Sequence, residues 1–276
     1  MKYKIVSDSS SNILTLKQIP FASVPLHIIV DEHQFIDDET VDLVQMEKAL
    51  SSCKGSSTAC PGPSDWLNAF GDSETIFCVT ITSALSGSFS SARIAKQDYE
   101  EKFPSRHVYI IDSLSTGPEM ELIIEKLQEF ILSGKDEKTI YDEILSYTKH
   151  THLLFALESL TNLANNGRIN RTIAKIAGVL GIRVIGQASS QGELELLDKC
   201  RGEQRALSCV IKRMKEMGYN GGKVRIVHNN NKKAAQKLMS KIQETFKVSD
   251  ICIAPTRALC SYYAEKGGLI IGFEEE

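Results

Sequence analysis

The chain has 276 residues, of which 42% are hydrophobic and 24% charged, with a formal net charge of −3. That length suits one large or two modest domains with a substantial core, and the charge gives no electrostatic case for nucleic acid or an anionic membrane as the main partner. No apolar run reaches membrane-spanning length, and the opening Met1-Lys2-Tyr3-Lys4-Ile5-Val6 enters a strand pattern without a signal peptide. A cytoplasmic chain without membrane insertion is therefore expected. The seven cysteines are an odd number with no CxxC pair and read as free thiols. His150 and His152 form the one close histidine pair, and no cysteine or carboxylate completes a ligand set around them. Neither a metal nor a cofactor is expected.

In chain order, Lys2 to Val6 reads as a short strand ending in the polar run Ser7-Asp8-Ser9-Ser10-Ser11-Asn12. Val24 to Val30 is extended because Pro25 opposes a helix, Phe35-Ile36 returns as strand, and Val41 to Leu50 is a helix. The proline and glycine spacing from Gly55 to Pro63 predicts irregular structure. Ser64 is then expected to cap a short helix that buries Trp66 and ends at Gly71. Strands at Thr75 to Ile81 and His107 to Ile111 alternate with helices at Phe89 onward, Glu119 to Leu132 and Asp136 to Lys149. This alternation predicts a parallel, doubly wound sheet with its polar loops gathered at one end.

The second half changes character. His152 to Ala156 reads as a strand, Leu160 to Ile169 as a helix stopped at Gly167, and Ile173 to Leu180 as a small-residue helix. Arg183 to Leu197 has a hairpin pattern. It is followed by helix Glu203 to Met217, strand Lys223 to Val227, helix Lys232 to Thr245 and strands Asp250 to Ile253 and Gly268 to Phe273. The expected organisation is an α/β domain over residues 1–152 and an α+β domain over 153–276.

Chemistry concentrates in Thr75 to Ala95, where a buried strand delivers the loop Thr82-Ser83-Ala84-Leu85-Ser86-Gly87-Ser88 to a helix N-terminus. Unpaired N–H groups and the positive end of the helix dipole favour an anion there. The hydroxyls of Ser83, Ser86 and Ser88 add donors without charge, so a carboxylate fits as well as a phosphate. The plainer alternative is that serine and glycine serve only as turn and cap residues.

Several segments together resemble the DegV family, which includes the fatty-acid-binding subunits of bacterial fatty acid kinase. Ile5-Val6-Ser7-Asp8-Ser9-Ser10 is similar to its opening strand and T-D-S-S loop, and Val24-Pro25-Leu26 with Asp37 and Asp38 to the next segment. Thr58 and Pro61 fall where the family has T-S-x-P-S. Ile81 to Phe89 resembles the segment with S-S-x-L-S-G-T-Y, and Leu157 to Ile169 resembles L-x-x-L-x-x-x-G-R-I. The Ile185 to Arg205 hairpin and helix start also match, so the resemblance covers nearly the whole chain.

The resemblance implies a tunnel between the two domains that holds one long-chain fatty acid, its carboxylate hydrogen-bonded by Thr58, Ser86 and the Gly87 N–H. Ser9, Arg168 and Arg201 are implied as further head-group or kinase contacts, with interdomain or surface salt bridges the alternative for the two arginines. A partner kinase would convert the bound acid to an acyl phosphate, so this chain presents substrate and carries no catalytic residue of its own. The chain departs from the family at Thr58-Ala59-Cys60-Pro61-Gly62, which lacks both serines, and at Pro255-Thr256-Arg257-Ala258-Leu259, which stands in place of H-T-G-P-G. The second departure bears on kinase coupling more than on ligand binding, and leaves a lipid sensor or carrier as an alternative. A serine hydrolase using Ser86 is the enzyme alternative, since Ala84-Leu85-Ser86-Gly87-Ser88 nearly matches G-x-S-x-G. Its loop is too long for a tight nucleophile elbow, and no downstream histidine has a triad context. A dihydroxyacetone-kinase-like substrate subunit would need a ketone-binding histidine in a matching motif, and none is present.

Overall fold

The computed structural model describes residues 2–170 and 181–275. Its first sheet is parallel, in the order β2 (Phe21–Val24), β1 (Tyr3–Asp8), β6 (Thr75–Thr80), β7 (His107–Asp112). The apolar run of β6 is buried at every position, as a strand covered on both faces requires. Its side chains alternate. Ile76 and Cys78 pack with Trp66 and Phe70 of α2 (Pro63–Phe70) and with Ala92, Ala95 and Tyr99 of α3 (Ser88–Lys102). Phe77 and Val79 face α4 (Pro118–Leu132) and α5 (Glu137–Tyr147), through Met120, Ile123, Leu127, Ile140 and Ile144.

A six-stranded mixed sheet follows, in the order β10 (Leu194–Arg201), β9 (Ile182–Ala188), β8 (Thr151–Leu157), β13 (Leu269–Glu274), β11 (Val224–His228), β12 (Ile251–Pro255). Here too alternation divides the labour of each strand. Leu154 and Ala156 of β8 face the core built on α7 (Glu203–Glu216) and α8 (Lys232–Phe246), whereas Leu153, Phe155 and Leu157 face the opposite way. The mixed α/β architecture read from the sequence, a parallel sheet followed by a sheet-rich second half, is the one observed. The helix expected at Ile173 to Leu180 lies outside the described residues.

The run read as one extended segment from Val24 to Val30 divides between the end of β2 and a strand of another sheet, and two further elements differ from the sequence reading. Ser56–Ala59, expected to be irregular, is β5. It pairs antiparallel with β3 (His27–Val30), which also pairs β4 (His33–Ile36), in a three-stranded sheet. The strand is only four residues long and stops before Pro61, so the punctuating residues bound it rather than interrupt it. Ala258–Ala264, not anticipated as a helix, forms the seven-residue α9 directly after β12. Its first N–H groups, those of Ala258 and Leu259, donate to the buried Asp37 carboxylate at 3.0 and 3.1 Å. Arg257 lies 3.6 Å from the same carboxylate. The N-terminal cap of α9 thus comes from a residue more than two hundred positions away. A smaller difference concerns α2, whose start is capped by Asp65 accepting from Gly62 N–H rather than by Ser64.

Helix α4 is the layer the two large sheets share. One side packs on the parallel sheet, and its first turn lies so close to β13 that a Cβ on Gly272 would come within 2.5 Å of the backbone at Pro118 and Glu119. Arg225 of β11 bridges Glu125 of α4 at 2.8 Å. Glu119, 5% exposed, accepts from Thr151 of β8 at 2.7 Å and from Ser115. Burial pushes the Glu119 carboxyl up to about 7, against the pull of those two hydroxyls. Because the folded value exceeds the unfolded one, this group's contribution is fully present below about pH 4.5 and is lost as the pH rises through about 7. Glu119→Gln is therefore expected to gain on the wild type by up to ~3 kcal/mol across that window. Denaturant unfolding of both proteins across it checks this, and parallel stability profiles would show that Glu119 does not titrate there.

Candidate functional site

Between the outward face of β8 and the ends of the parallel strands lies a cavity of about 320 Å³, at the small end of the range usual for ligand sites. Its walls are aliphatic and aromatic. Leu153, Phe155 and Leu157 come from β8, Ile270 from β13, Leu194 from β10, Leu26 and Ile81 from the parallel-sheet side, and Leu259 from α9. Polar groups come from Thr58 of β5, Ser86 and Gly87 at the start of α3, Thr116 ahead of α4, Arg168 after α6 (Thr161–Asn165), and Tyr263 of α9. Among the described residues, no aspartate, glutamate, lysine or histidine lines the cavity.

Buried Asp8 shapes the loop that presents Ser86 and Gly87. Its carboxylate accepts from Ile81 N–H at 2.9 Å, from Ser88 Oγ at 2.7 Å, and from the N–H and hydroxyl of Ser10. Desolvation raises its carboxyl above the ordinary value, opposed by these donors. Asp112 accepts from Ser83 N–H at 3.1 Å, and the Thr82 N–H donates to Ser115 O at 2.9 Å. The loop's N–H groups are thus mostly used internally, which narrows the anion site expected from the sequence. No internal acceptor takes the Gly87 N–H among the described residues. Ser88, one of three serines considered as donors, turns inward to Asp8, and Ser83 is exposed. Ser86 Oγ lines the cavity and accepts from Ser88 N–H at 3.2 Å, which leaves its own proton free to donate.

The segment that follows β5 packs on the start of α3. A Cβ on Gly87 would lie 3.1 Å from Cys60 Sγ, and Ser91 Oγ donates to Pro61 O at 2.7 Å. The Thr58 and Tyr263 hydroxyls are 2.7 Å apart. Burial raises the Tyr263 phenol, with the nearby Arg168 charge pulling the other way. Arg168 donates from Nε to Leu85 O at 3.1 Å and from Nη1 to Asn166 O. No carboxylate among the described residues pairs with it, so the salt bridge weighed as its alternative role is not formed there.

The remaining expected contacts lie off the cavity. Ser9 is 1% exposed and its hydroxyl accepts from Leu26 N–H at 2.9 Å, so it holds a wall residue in place. Arg201 is exposed at the end of β10. His150 and His152 both contact the Glu275 carboxylate, at 3.2 and 2.7 Å. Among the described residues no histidine lines the cavity beside Ser86, so the Ser–His pairing on which the hydrolase alternative depends is not seen there. Tyr263 and Cys260 were missed from the sequence because the short helix carrying them was missed. The apolar spacing within Ala258-Leu259-Cys260-Ser261-Tyr262-Tyr263-Ala264 was the available signal.

Residues 2–276 match the family model described as uncharacterised proteins of the DegV family. A DegV domain-containing protein of Streptococcus pneumoniae is 42% identical over 282 residues, spanning 99% of each chain. A crystal structure of a DegV family protein from Eubacterium eligens, loaded with heptadecanoic acid, superposes with a TM-score of 0.98 at 44% identity, covering 99% of this chain and 100% of the other. The Streptococcus pneumoniae fatty acid kinase B3 protein loaded with linoleic acid does so with a TM-score of 0.97 at 41% identity, over the full length of both. With its motifs in order, its fold shared end to end and the family model matched along its length, this chain belongs to the DegV family.

Proposed function

We propose that this protein binds one long-chain fatty acid, tail in the apolar cavity and carboxylate among Thr58, Ser86, the Gly87 N–H and Arg168. The tunnel would lie between an N-terminal unit of residues 1–152 and a C-terminal unit of 153–276. The observation that carries the reading is the cavity itself, with its aliphatic walls, the hydroxyls of Thr58, Ser86 and Tyr263 near Arg168, and, among the described residues, no carboxylate, lysine or histidine. A group with one anionic end and a long apolar body matches that division. The acyl chains held by the relatives from Eubacterium eligens and Streptococcus pneumoniae support it.

Each buried methylene contributes about 0.8 kcal/mol, so a long tail supplies roughly 10 kcal/mol before association costs. The head group therefore fixes orientation more than it supplies affinity. Two hydroxyls and one N–H can each donate to a carboxylate, and Arg168 is a cation whose hydrogen-bond partners among the described residues are backbone carbonyls. The protein then acts in the cytoplasm as a substrate-presenting subunit for a fatty acid kinase, which would phosphorylate the exposed carboxylate to an acyl phosphate. The name of the Streptococcus pneumoniae relative supports this second step.

Native mass spectrometry of the purified protein is expected to show a stoichiometric fatty acid, and a protein that is empty and refuses added fatty acids would overturn the reading. Thr58→Val and Ser86→Ala are each expected to weaken fatty-acid binding about 10- to 100-fold while the protein stays folded, since each removes a hydrogen bond to a charged group. Unchanged affinity in both would displace the carboxylate from this pole. For the kinase step, loaded protein, ATP and a fatty acid kinase catalytic subunit should yield acyl hydroxamate when hydroxylamine is added. Binding without hydroxamate would favour the carrier or sensor role.

A further inference from the structure

Helix α9 meets the edge strand β5 through two hydroxyl pairs. Ser56 and Thr58, two residues apart and so on one face of the strand, bond Tyr262 OH at 2.9 Å and Tyr263 OH at 2.7 Å. The pairs are chemically alike and differently placed. Tyr262 is 1% exposed, its hydroxyl also receives Asn166 Nδ2 at 2.8 Å, and neither it nor Ser56 lines the cavity. Tyr263 and Thr58 both line it.

Resting on the fatty-acid reading above, we propose that Tyr263 is a positioning residue for the ligand's carboxylate, acting by fixing the Thr58 hydroxyl. A hydroxyl has one proton to donate and two lone pairs to accept. In the Thr58–Tyr263 pair one O–H is spent between the two oxygens and the other is free. When the phenol donates to Thr58 Oγ1, the threonine proton is turned away from the tyrosine and toward the cavity, where a carboxylate oxygen accepts it. The two bonds in series polarise one another and strengthen the outer one. In an empty site the same pair satisfies itself, so no polar group is stranded. The helix that carries Tyr263 is held by Asp37 and Arg257, which places the phenol without help from the ligand.

The test compares a fatty acid with the fatty alcohol of the same length, using wild-type protein, Tyr263→Phe, Thr58→Val, the double variant, and Tyr262→Phe as the matched structural pair. Tyr263→Phe is expected to lose about 5- to 30-fold in affinity for the acid, the scale of one charge-assisted hydrogen bond, and less than about twofold for the alcohol. The double variant should bind the acid no worse than Thr58→Val alone. Tyr262→Phe should lower the melting temperature and leave the ratio of acid to alcohol affinity unchanged. Equal losses for acid and alcohol in Tyr263→Phe, additive losses in the double variant, or no loss at all would overturn the proposal. In each of those cases wild-type binding of the acid keeps the broader reading intact, whereas a wild-type protein that binds neither ligand would overturn both.

Discussion

A carboxylate with no cation among its hydrogen-bond donors organises the polar end of this molecule. Asp8, fully buried at the end of β1, collects the Ile81 N–H from the end of β6, the Ser88 hydroxyl from the start of α3, and two donors from Ser10. Burying a charge without such donors would cost several kcal/mol. With them, the ends of two parallel strands and one helix are locked into a single arrangement. The geometry of the Ser86-Gly87 corner follows from that lock. Were Ser88 to face the cavity instead, Asp8 would lose an acceptor bond and the loop its shape.

A second constraint is the position of α4, caught between the two large sheets. Its residues are buried on both sides, and Gly272 lets β13 approach its first turn more closely than any side chain would permit. The parallel sheet therefore meets the mixed sheet across a helix on one side. On the other, near β8, α9 and the sheet-end loops, the two are spaced by the cavity. A close approach on one side and an open one on the other is how a single chain builds an apolar chamber without leaving its sheets uncovered.

Most of the fold was legible because it rests on local periodicity. The continuous apolar run of Thr75 to Ile81, the alternation of strands and helices through residue 150, and the hairpin after Arg183 are properties of short windows. What was not legible was short. β5 is four residues between a glycine and a proline, and α9 is seven residues after Pro255. Neither has the length for periodicity to stand out, and both exist because distant residues hold them: β3 pairs with the first and Asp37 caps the second. Since β5 carries Thr58 and α9 carries Tyr263, the part of the candidate site hardest to read was the part assembled from these two.

By itself the sequence determined the classes of chemistry available. It offered a serine and glycine loop at a helix N-terminus, hydroxyls in place of carboxylates or a histidine base, and family motifs in the right order along the whole chain. These are matters of residue identity and near-neighbour spacing, which physics reads locally. Only the tertiary structure decided which donors border the cavity. It turned Ser88 inward and Ser86 outward, occupied most of the loop's N–H groups while sparing those of Ser86 and Gly87, held Arg168 on backbone carbonyls, and set Tyr263 against Thr58 from 205 positions away. Hydrogen-bond donors are directional and each has one proton to give, so their assignment depends on where every competing acceptor lies, and that is known only once the chain has folded.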